Sequence, residues 1–316
     1  MKEAQIFLNK MKYNKKLGLC CLSRLNDKIK FSTMTRKKFL SFHNRKDAIK
    51  ELSNRTLKNI KSVREAVLHC HKNGWNYRIG SGIVPLWSLK ELNINPYEFE
   101  NFDEILSEFK LCSEEIKRLN VRCSMHPDQY VVPASSTKSV VEKSLIDLEL
   151  HGKIMDMLGL AQDYSSPINI HMNCFKGSPI QSIRDRFLSI YNSLTPSVRN
   201  RLVLENEDKK NSWSVVKLVD LIHSKSKIPI TYDNLHHINN PDGCSEKDAY
   251  DLCKKTWGSF KPLFHFSGTD ISLRNSRAHA EFATEFPVEY LNEDFVDLDF
   301  EFKGKDEAMK KFELKY

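Results

Sequence analysis

The 316-residue sequence has no run approaching the ~20 consecutive apolar residues of a membrane-spanning helix, which excludes a helical membrane protein. Its opening, MKEAQIFLNKMKYNKK, lacks an apolar stretch long enough for a secretory signal. None of the eight cysteines, at 20, 21, 70, 112, 123, 174, 244 and 253, forms a C-x-x-C pair. Without a secretory signal they are expected as reduced thiols in an intracellular, soluble protein, with nucleus and cytoplasm equally open. Glycine and proline, at 11 each, are too few for a collagen-like or low-complexity chain. No internal repeat and no Gly/Ser-rich linker divides the sequence, so one domain is expected.

Acidic residues are scarce at one end only. Residues 1–64 carry 18 Lys and Arg against 4 Asp and Glu, while the remainder carries 31 against 37. A basic segment on an acidic body points to an anionic partner, nucleic acid first. Solvated lysines from a lysine-rich composition would give the same count. We read residues 1–16, with Lys2, Lys10, Lys12, Lys15 and Lys16, as a basic arm, and about 23–55 as a basic insertion in a domain spanning 17–316.

What is present is alternation. Short apolar runs read as strands at 17–22, 75–79, 121–124, 168–171, 201–205, 229–232, 263–267 and 296–302. Amphipathic stretches between them read as helices at 56–73, 99–119, 138–157, up to about 193, 214–224, from 245, and from 306. Strand–helix alternation implies parallel pairing. Eight such units predict an α/β protein, a single-domain TIM-type (β/α)8 barrel, with an irregular last unit over 268–295.

Such a barrel gathers its chemistry at the C-terminal ends of its strands. There the sequence places His126, His171, Glu205, Asp233, His236, His265, His279 and Glu301. Imidazoles and carboxylates without thiolates suit Mn²⁺, Fe²⁺ or Zn²⁺. Eight ligands are too many for one ion, so two or three are implied. Clustered ions suit in-line phosphoryl displacement, because they stabilise both the attacking and the leaving oxygen. His43, His69, His71, His151, His223 and His237 read as structural. Gln129 and Tyr130, in HPDQYVV, offer an amide and an aromatic that stack on a base or pack in the next turn.

The run RCSMHPDQYVV resembles the R-x-S-M-H-P-x-Q-[FY]-V-V motif of the UV damage endonucleases. The resemblance continues in order through YRIGSG, INIHMN, RLVLENED, YDNLHH, HFSG, SRAHAEF and DLDFEFKGK, over about residues 17–305. It implies a barrel like that of the apurinic endonuclease IV group. It also implies a DNA repair endonuclease that nicks duplex DNA 5′ to UV photoproducts and leaves a 3′-hydroxyl and a 5′-phosphate. The metal set maps onto the eight residues already named, usually with Mn²⁺, while Zn²⁺, Mg²⁺ and Fe²⁺ stay open. Glu205, Glu301 and His171 would act in catalysis through the metals. Gln129 and Tyr130 would probe the duplex at a flipped dinucleotide, with Asn173 and Arg277 as further DNA contacts.

The sequence departs from the pattern at Leu263, where relatives often carry a modified lysine two residues before the histidine. Two less securely aligned departures are Leu19, where a Tyr is common, and Leu89, where a His is common. Expected partners are damaged double-stranded DNA and downstream repair proteins, no membrane, and a monomeric chain. A metal-dependent sugar isomerase on a similar barrel, or a non-catalytic DNA-binding relative, are the alternatives.

Overall fold

The computed structural model describes residues 15–174, 177–270, 272, 275–291 and 295–315. Most of the basic arm therefore lies outside the described residues. Eight strands are present: β1 (Leu17–Cys20), β2 (Asn76–Ile79), β3 (Cys123–Met125), β4 (Ile168–Ile170), β5 (Leu202–Glu205), β6 (Ile230–Thr231), β7 (Leu263–Phe266) and β8 (Asp297–Phe300). They pair in parallel in the order β6-β5-β4-β3-β2-β1-β8-β7. The ring closes through a parallel bridge between Asp233 and His265, with the His265 N–H donating to the Tyr232 carbonyl at 2.9 Å. This is the expected (β/α)8 barrel.

The main helices are α1 (Arg45–Asn73), α2 (Phe102–Leu119), α3 (Lys138–Met157), α4 (Ile180–Ser193), α5 (Asn234–Asn239), α6 (Glu246–Thr256), α7 (Val288–Leu291) and α8 (Lys305–Lys315). Between α4 and α5 lies a π-helical turn over Leu218–His223. Among the described residues no helix is long and apolar enough to cross a membrane. All eight cysteines are free. The stretch 268–295 holds only α7 and a bridge from Thr269 to His279 among its described residues, matching the expected irregular unit.

Alternation along each strand sets the architecture. Leu298, Phe300, Phe264 and Phe266 are fully buried and belong to the apolar core. Asp297, Asp299 and Glu301 occupy the alternate positions that face the barrel interior. Gly18 is required there, because a Cβ on it would collide with the Asp299 carboxylate.

Helix α1 starts at Arg45, not at 56, so residues 45–55 of the expected insertion are helical. The Asn44 side chain caps its N-terminus, and Gly74, at φ 74°, ends it. Ser53, Thr56, Asn59 and Ser62 are buried on this helix. Asn59 and Ser62 serve the loop after β1. Asn59 accepts from the Ser32 N–H at 2.7 Å, and Ser62 donates to the Lys30 carbonyl at 2.7 Å. In α2 Ile105, Phe109 and Ile116 are buried and form the apolar face, whereas Leu106 is exposed.

Part of the charge asymmetry of the sequence is offset in space. Arg36, Arg45, Lys46, Lys61 and Arg64 pair with Glu91, Glu98, Glu100, Glu104 and Glu108 respectively. The exposed pairs contribute little stability, but together the five offset part of the basic field that the sequence count suggests. Lys15 is buried with its ammonium on the Tyr290 carbonyl, so it is not available to a phosphate as the arm reading expected.

Candidate metal centre

Six of the eight strands, β3 to β8, deliver one or two candidate ligands each to the same mouth. Glu205 is the last residue of β5 and is buried. His126, His171 and Glu301 follow β3, β4 and β8 directly, His265 lies within β7, and Asp233 caps α5, which carries His236. Four histidines converge on the Glu205 carboxylate. His126 Nε2, His236 Nδ1 and His265 Nδ1 each lie 3.1 Å from it, and His171 Nε2 lies 3.6 Å away. His265 Nδ1 is also 3.1 Å from Glu301.

Three overlapping groups have ligand atoms within 4.8 Å of one another: His126, His171 and Glu205; Glu205, Asp233 and His236; and Asp233, His265 and Glu301. The fold thus brings seven of the eight expected residues together. His279 stands outside these groups. Its Nδ1 hydrogen-bonds the Glu301 carbonyl at 2.6 Å, which leaves Nε2 to face the cavity that His279 lines.

A supporting layer fixes these side chains, and the sequence reading did not assign it. Ser267 donates to both Asp233 oxygens at 2.9 and 2.8 Å. Asn206 and Asp233 exchange hydrogen bonds at 2.8 and 3.0 Å, and the Asn206 carbonyl engages His236 Nδ1 at 2.9 Å. Asn169 donates to Glu205, and Arg78 pairs with Glu301. Such partners fix ring orientation and tautomer. The signal was period two: Asn169, Asp299 and Ser124 each lie two residues before His171, Glu301 and His126, hence on the same strand face.

The electrostatics follow from burial and crowding. Burial opposes ionisation of Glu205, yet the charges of His171 and His265 and the hydrogen bonds from His126 and His236 hold it well below the usual carboxylate range. Glu301 is likewise held down against burial, chiefly by Arg78. Burial raises Asp233. Burial also pushes His171 down to about 3, whereas Glu205 and Glu301 overcome burial at His265 and push it up to about 9. Oxygen and imidazole donors, crowded, buried and free of thiolates, fit divalent transition ions. His265 Nδ1 and one Glu205 oxygen are buried without a well-formed hydrogen bond, so their lone pairs remain for such an ion.

The centre opens into a cavity of about 600 Å³ whose wall includes Gln129, Asn173, Lys209 and Arg277. Tyr130, beside Gln129, is 63% exposed and so does not pack in the turn. Arg277 lies 3.6 Å from Asp208. His69, His151, His223 and His237 bond to Asp306, Asp147, Ile228 and Cys244, apart from the cluster. Leu263 is buried at the base of β7, beside Asp297 in register and one layer below His265, so it is not at the mouth.

Comparison with solved structures gives the same architecture. The crystal structure of SacUVDE aligns with a TM-score of 0.80 at 24% identity, over 95% of this chain and 97% of that one. Endonuclease IV from Thermus thermophilus aligns with a TM-score of 0.53 at 14% identity, over 95% and 99%. In sequence, the UV DNA damage endonuclease of Nostoc sp. (strain PCC 7120 / SAG 25.82 / UTEX 2576) is 28% identical over 91% of this chain and 86% of its own length. The family model for UV-endonuclease UvdE matches residues 15–316, and the chain belongs to that family.

Proposed function

We propose that this chain is a metal-dependent DNA repair endonuclease that nicks duplex DNA 5′ to UV photoproducts and other helix-distorting lesions, leaving a 3′-hydroxyl and a 5′-phosphate. Family membership supports a nuclease acting on UV-damaged DNA. The observation that carries the metal dependence is the convergence of His126, His171, His236 and His265 on the buried Glu205 carboxylate. His126, His171, Glu205, Asp233, His236, His265, His279 and Glu301 would hold two or three divalent ions, Mn²⁺ first, with Zn²⁺, Mg²⁺ and Fe²⁺ as the other candidates. Such ions supply Lewis acidity at a phosphodiester and a nucleophile at neutral pH.

The chain's own residues do the rest. Glu205, Glu301 and His171 set the charge and geometry of the cluster. Arg78 neutralises Glu301 from inside the barrel. Asn173 and Arg277 stand where the phosphate backbone would cross the cavity. Gln129 and exposed Tyr130 enter the duplex at the lesion, where unstacking costs least because the step is already distorted. A soluble intracellular monomer that hands its nick to downstream repair proteins completes the reading.

The test is incision of an end-labelled duplex carrying one defined photoproduct, with Mn²⁺, Mg²⁺ and Zn²⁺ compared. We expect a single nick on the 5′ side whose end a polymerase extends without processing. Absence of cleavage with every ion, or a blocked 3′ end, would overturn the proposal.

A further inference from the structure

The loop after β1 combines two properties that rarely occur together. Its backbone is tied down at nearly every residue, yet its two large apolar side chains face water. Leu22 is 48% exposed and Leu25 is 53% exposed. A single exposed leucine needs no explanation. Here both sit within one short turn whose conformation is fixed from beneath by a buried carboxylate.

Asp306, fully buried at the start of α8, accepts from the Ser23 hydroxyl, from the Arg24 N–H at 2.7 Å and from the Leu25 N–H at 3.4 Å. His69 Nε2, from α1, holds the same carboxylate at 3.1 Å. Ser23 in turn accepts the Asn26 N–H at 2.8 Å. The stem is fixed as firmly. The Cys21 N–H donates to the Arg78 carbonyl at 2.9 Å, and the Tyr77 hydroxyl donates to the Cys21 carbonyl at 3.2 Å. Arg24 pairs across the rim with Glu281.

The position of this turn says what it meets. Cys21 lines the same cavity as His126, Gln129 and Glu301, so Leu22 is the next residue outward on the rim. It stands two strands round the mouth from Tyr130, with the β2 loop between. Its neighbours in sequence include Lys28, Arg24, which is paired with Glu281, and Lys30, which is paired with Asp27 at 3.3 Å. A rigid apolar tip at the edge of a phosphodiester-cleaving mouth matches a nucleic acid with exposed base faces. A rigid tip loses little conformational freedom on binding, which favours affinity.

We propose that Leu22 and Leu25 form an apolar wedge that packs against the bases flanking the distorted step, a DNA-contacting element distinct from Gln129 and Tyr130. Apolar side chains act in this way where proteins unstack and kink a duplex. The proposal rests on the endonuclease reading given above.

The experiment compares Leu22→Ser/Leu25→Ser and Leu22→Met/Leu25→Met with wild type in the full chain loaded with Mn²⁺. Single-turnover incision over a range of enzyme concentrations gives the half-saturating concentration and the maximal rate on a duplex with one photoproduct. 2-Aminopurine placed beside the lesion reports unstacking. For the serine variant we expect the half-saturating concentration to rise roughly tenfold, about 1.4 kcal/mol. The maximal rate should stay within about twofold, with the unstacking signal reduced and bound metal unchanged. The slope of affinity against salt should also hold, because no phosphate contact is lost. The methionine variant should restore wild-type behaviour. An unchanged half-saturating concentration and unstacking signal would overturn the wedge. So would an equal loss on damaged and intact duplex, or a change in oligomeric state of the serine variant, which would make the tip an interface between copies. If wild type itself incises nothing, it is the endonuclease reading that fails.

Discussion

Asn173 donates from its side-chain amide to the backbone carbonyl of Gln129 at 3.0 Å, so the loop after β4 holds the loop that carries the Gln129–Tyr130 pair. Asn173 can do this because its backbone sits at φ 49° and its N–H is taken at 2.7 Å by Glu207. Glu207 is itself buried, and burial raises its pKa. Loosening this chain should blur the probing of the duplex and leave the metals in place. Asn173→Ala and Glu207→Ala are each expected to lower the ratio of incision rates on damaged over intact duplex by roughly three- to tenfold. Gln129→Ala/Tyr130→Ala should lower it further, because stacking is worth about 1–3 kcal/mol per base. Rates on both duplexes, with metal content determined for each variant, decide this. An unchanged ratio in the double variant would make the pair structural.

Glu205 is the point on which the histidines converge, so its charge is the property to remove. Glu205→Gln and His171→Ala should each lower incision by more than ~100-fold and reduce bound metal, with the far-UV circular dichroism preserved. A folded Glu205→Gln variant with full metal content and normal turnover would contradict the ligand assignment.

Metal binding should release protons. Glu205 and Glu301, working against burial, push His265 up to about 9, and His236 is also raised, by Asp233 and Glu205 against burial. These upward shifts favour the protonated rings in the metal-free cluster, and a divalent ion must displace those protons to bind. Apparent metal affinity should therefore rise with pH from about 6 to 9, by up to about tenfold per unit for each proton released. His171, at about 3, contributes nothing in this range. Calorimetric titration in buffers of different ionisation enthalpy measures the protons, and a pH-independent affinity would refute the idea.

Asp306 links the rim to acid stability. Burial alone would raise its pKa from 3.8, but the hydrogen bonds from His69, Ser23 and Arg24 win and bring it to about 2. A depressed folded-state value stabilises above the unfolded pKa and is lost as pH falls through the folded one. Its contribution, on the order of 1–2 kcal/mol, should therefore be complete above about pH 4.5 and vanish towards pH 2. In denaturant titrations, Asp306→Asn should be less stable than wild type at pH 7, with the gap narrowing as pH falls from 5 to 3. A constant gap would show that the carboxylate charge is not what matters.

All eight strands and the convergence of seven candidate ligands were legible, because both are written in local pattern: short apolar runs, six of them with His, Glu or Asp at or just beyond their C-terminal ends. The supporting residues were harder to find. Asn169 and Ser267 are ordinary polar residues until the register sets them beside Glu205 and Asp233. The first turns of α1 were missed although Ala48, Ile49 and Leu52 are buried there at helical spacing, because Arg45, Lys46 and Lys50 beside them read as part of a basic insertion. The pairing of part of the basic segment was hidden for a different reason. Sequence counts charge along the chain, whereas Glu91, Glu98, Glu100, Glu104 and Glu108 meet it only in space. Leu263 lies one layer below His265 on the same strand face, a depth from which a lysine side chain would reach towards the mouth and leucine does not.

The seam between β6 and β7 has a further consequence. Most of the barrel wall is a ladder of two to four paired residues, but here, as between β3 and β4, it is one pair, Asp233 and His265. Asn234 and Ser267 reinforce it with a reciprocal pair of hydrogen bonds at 2.9 and 3.0 Å. Both bridge residues belong to the same candidate ion-binding group. An ion held there would act as a clasp on the wall as well as a reagent in the mouth. The ring would then be mechanically tightest when chemically competent, and amide exchange along Tyr232–Asn234 and 265–267 would slow on loading before any substrate is present.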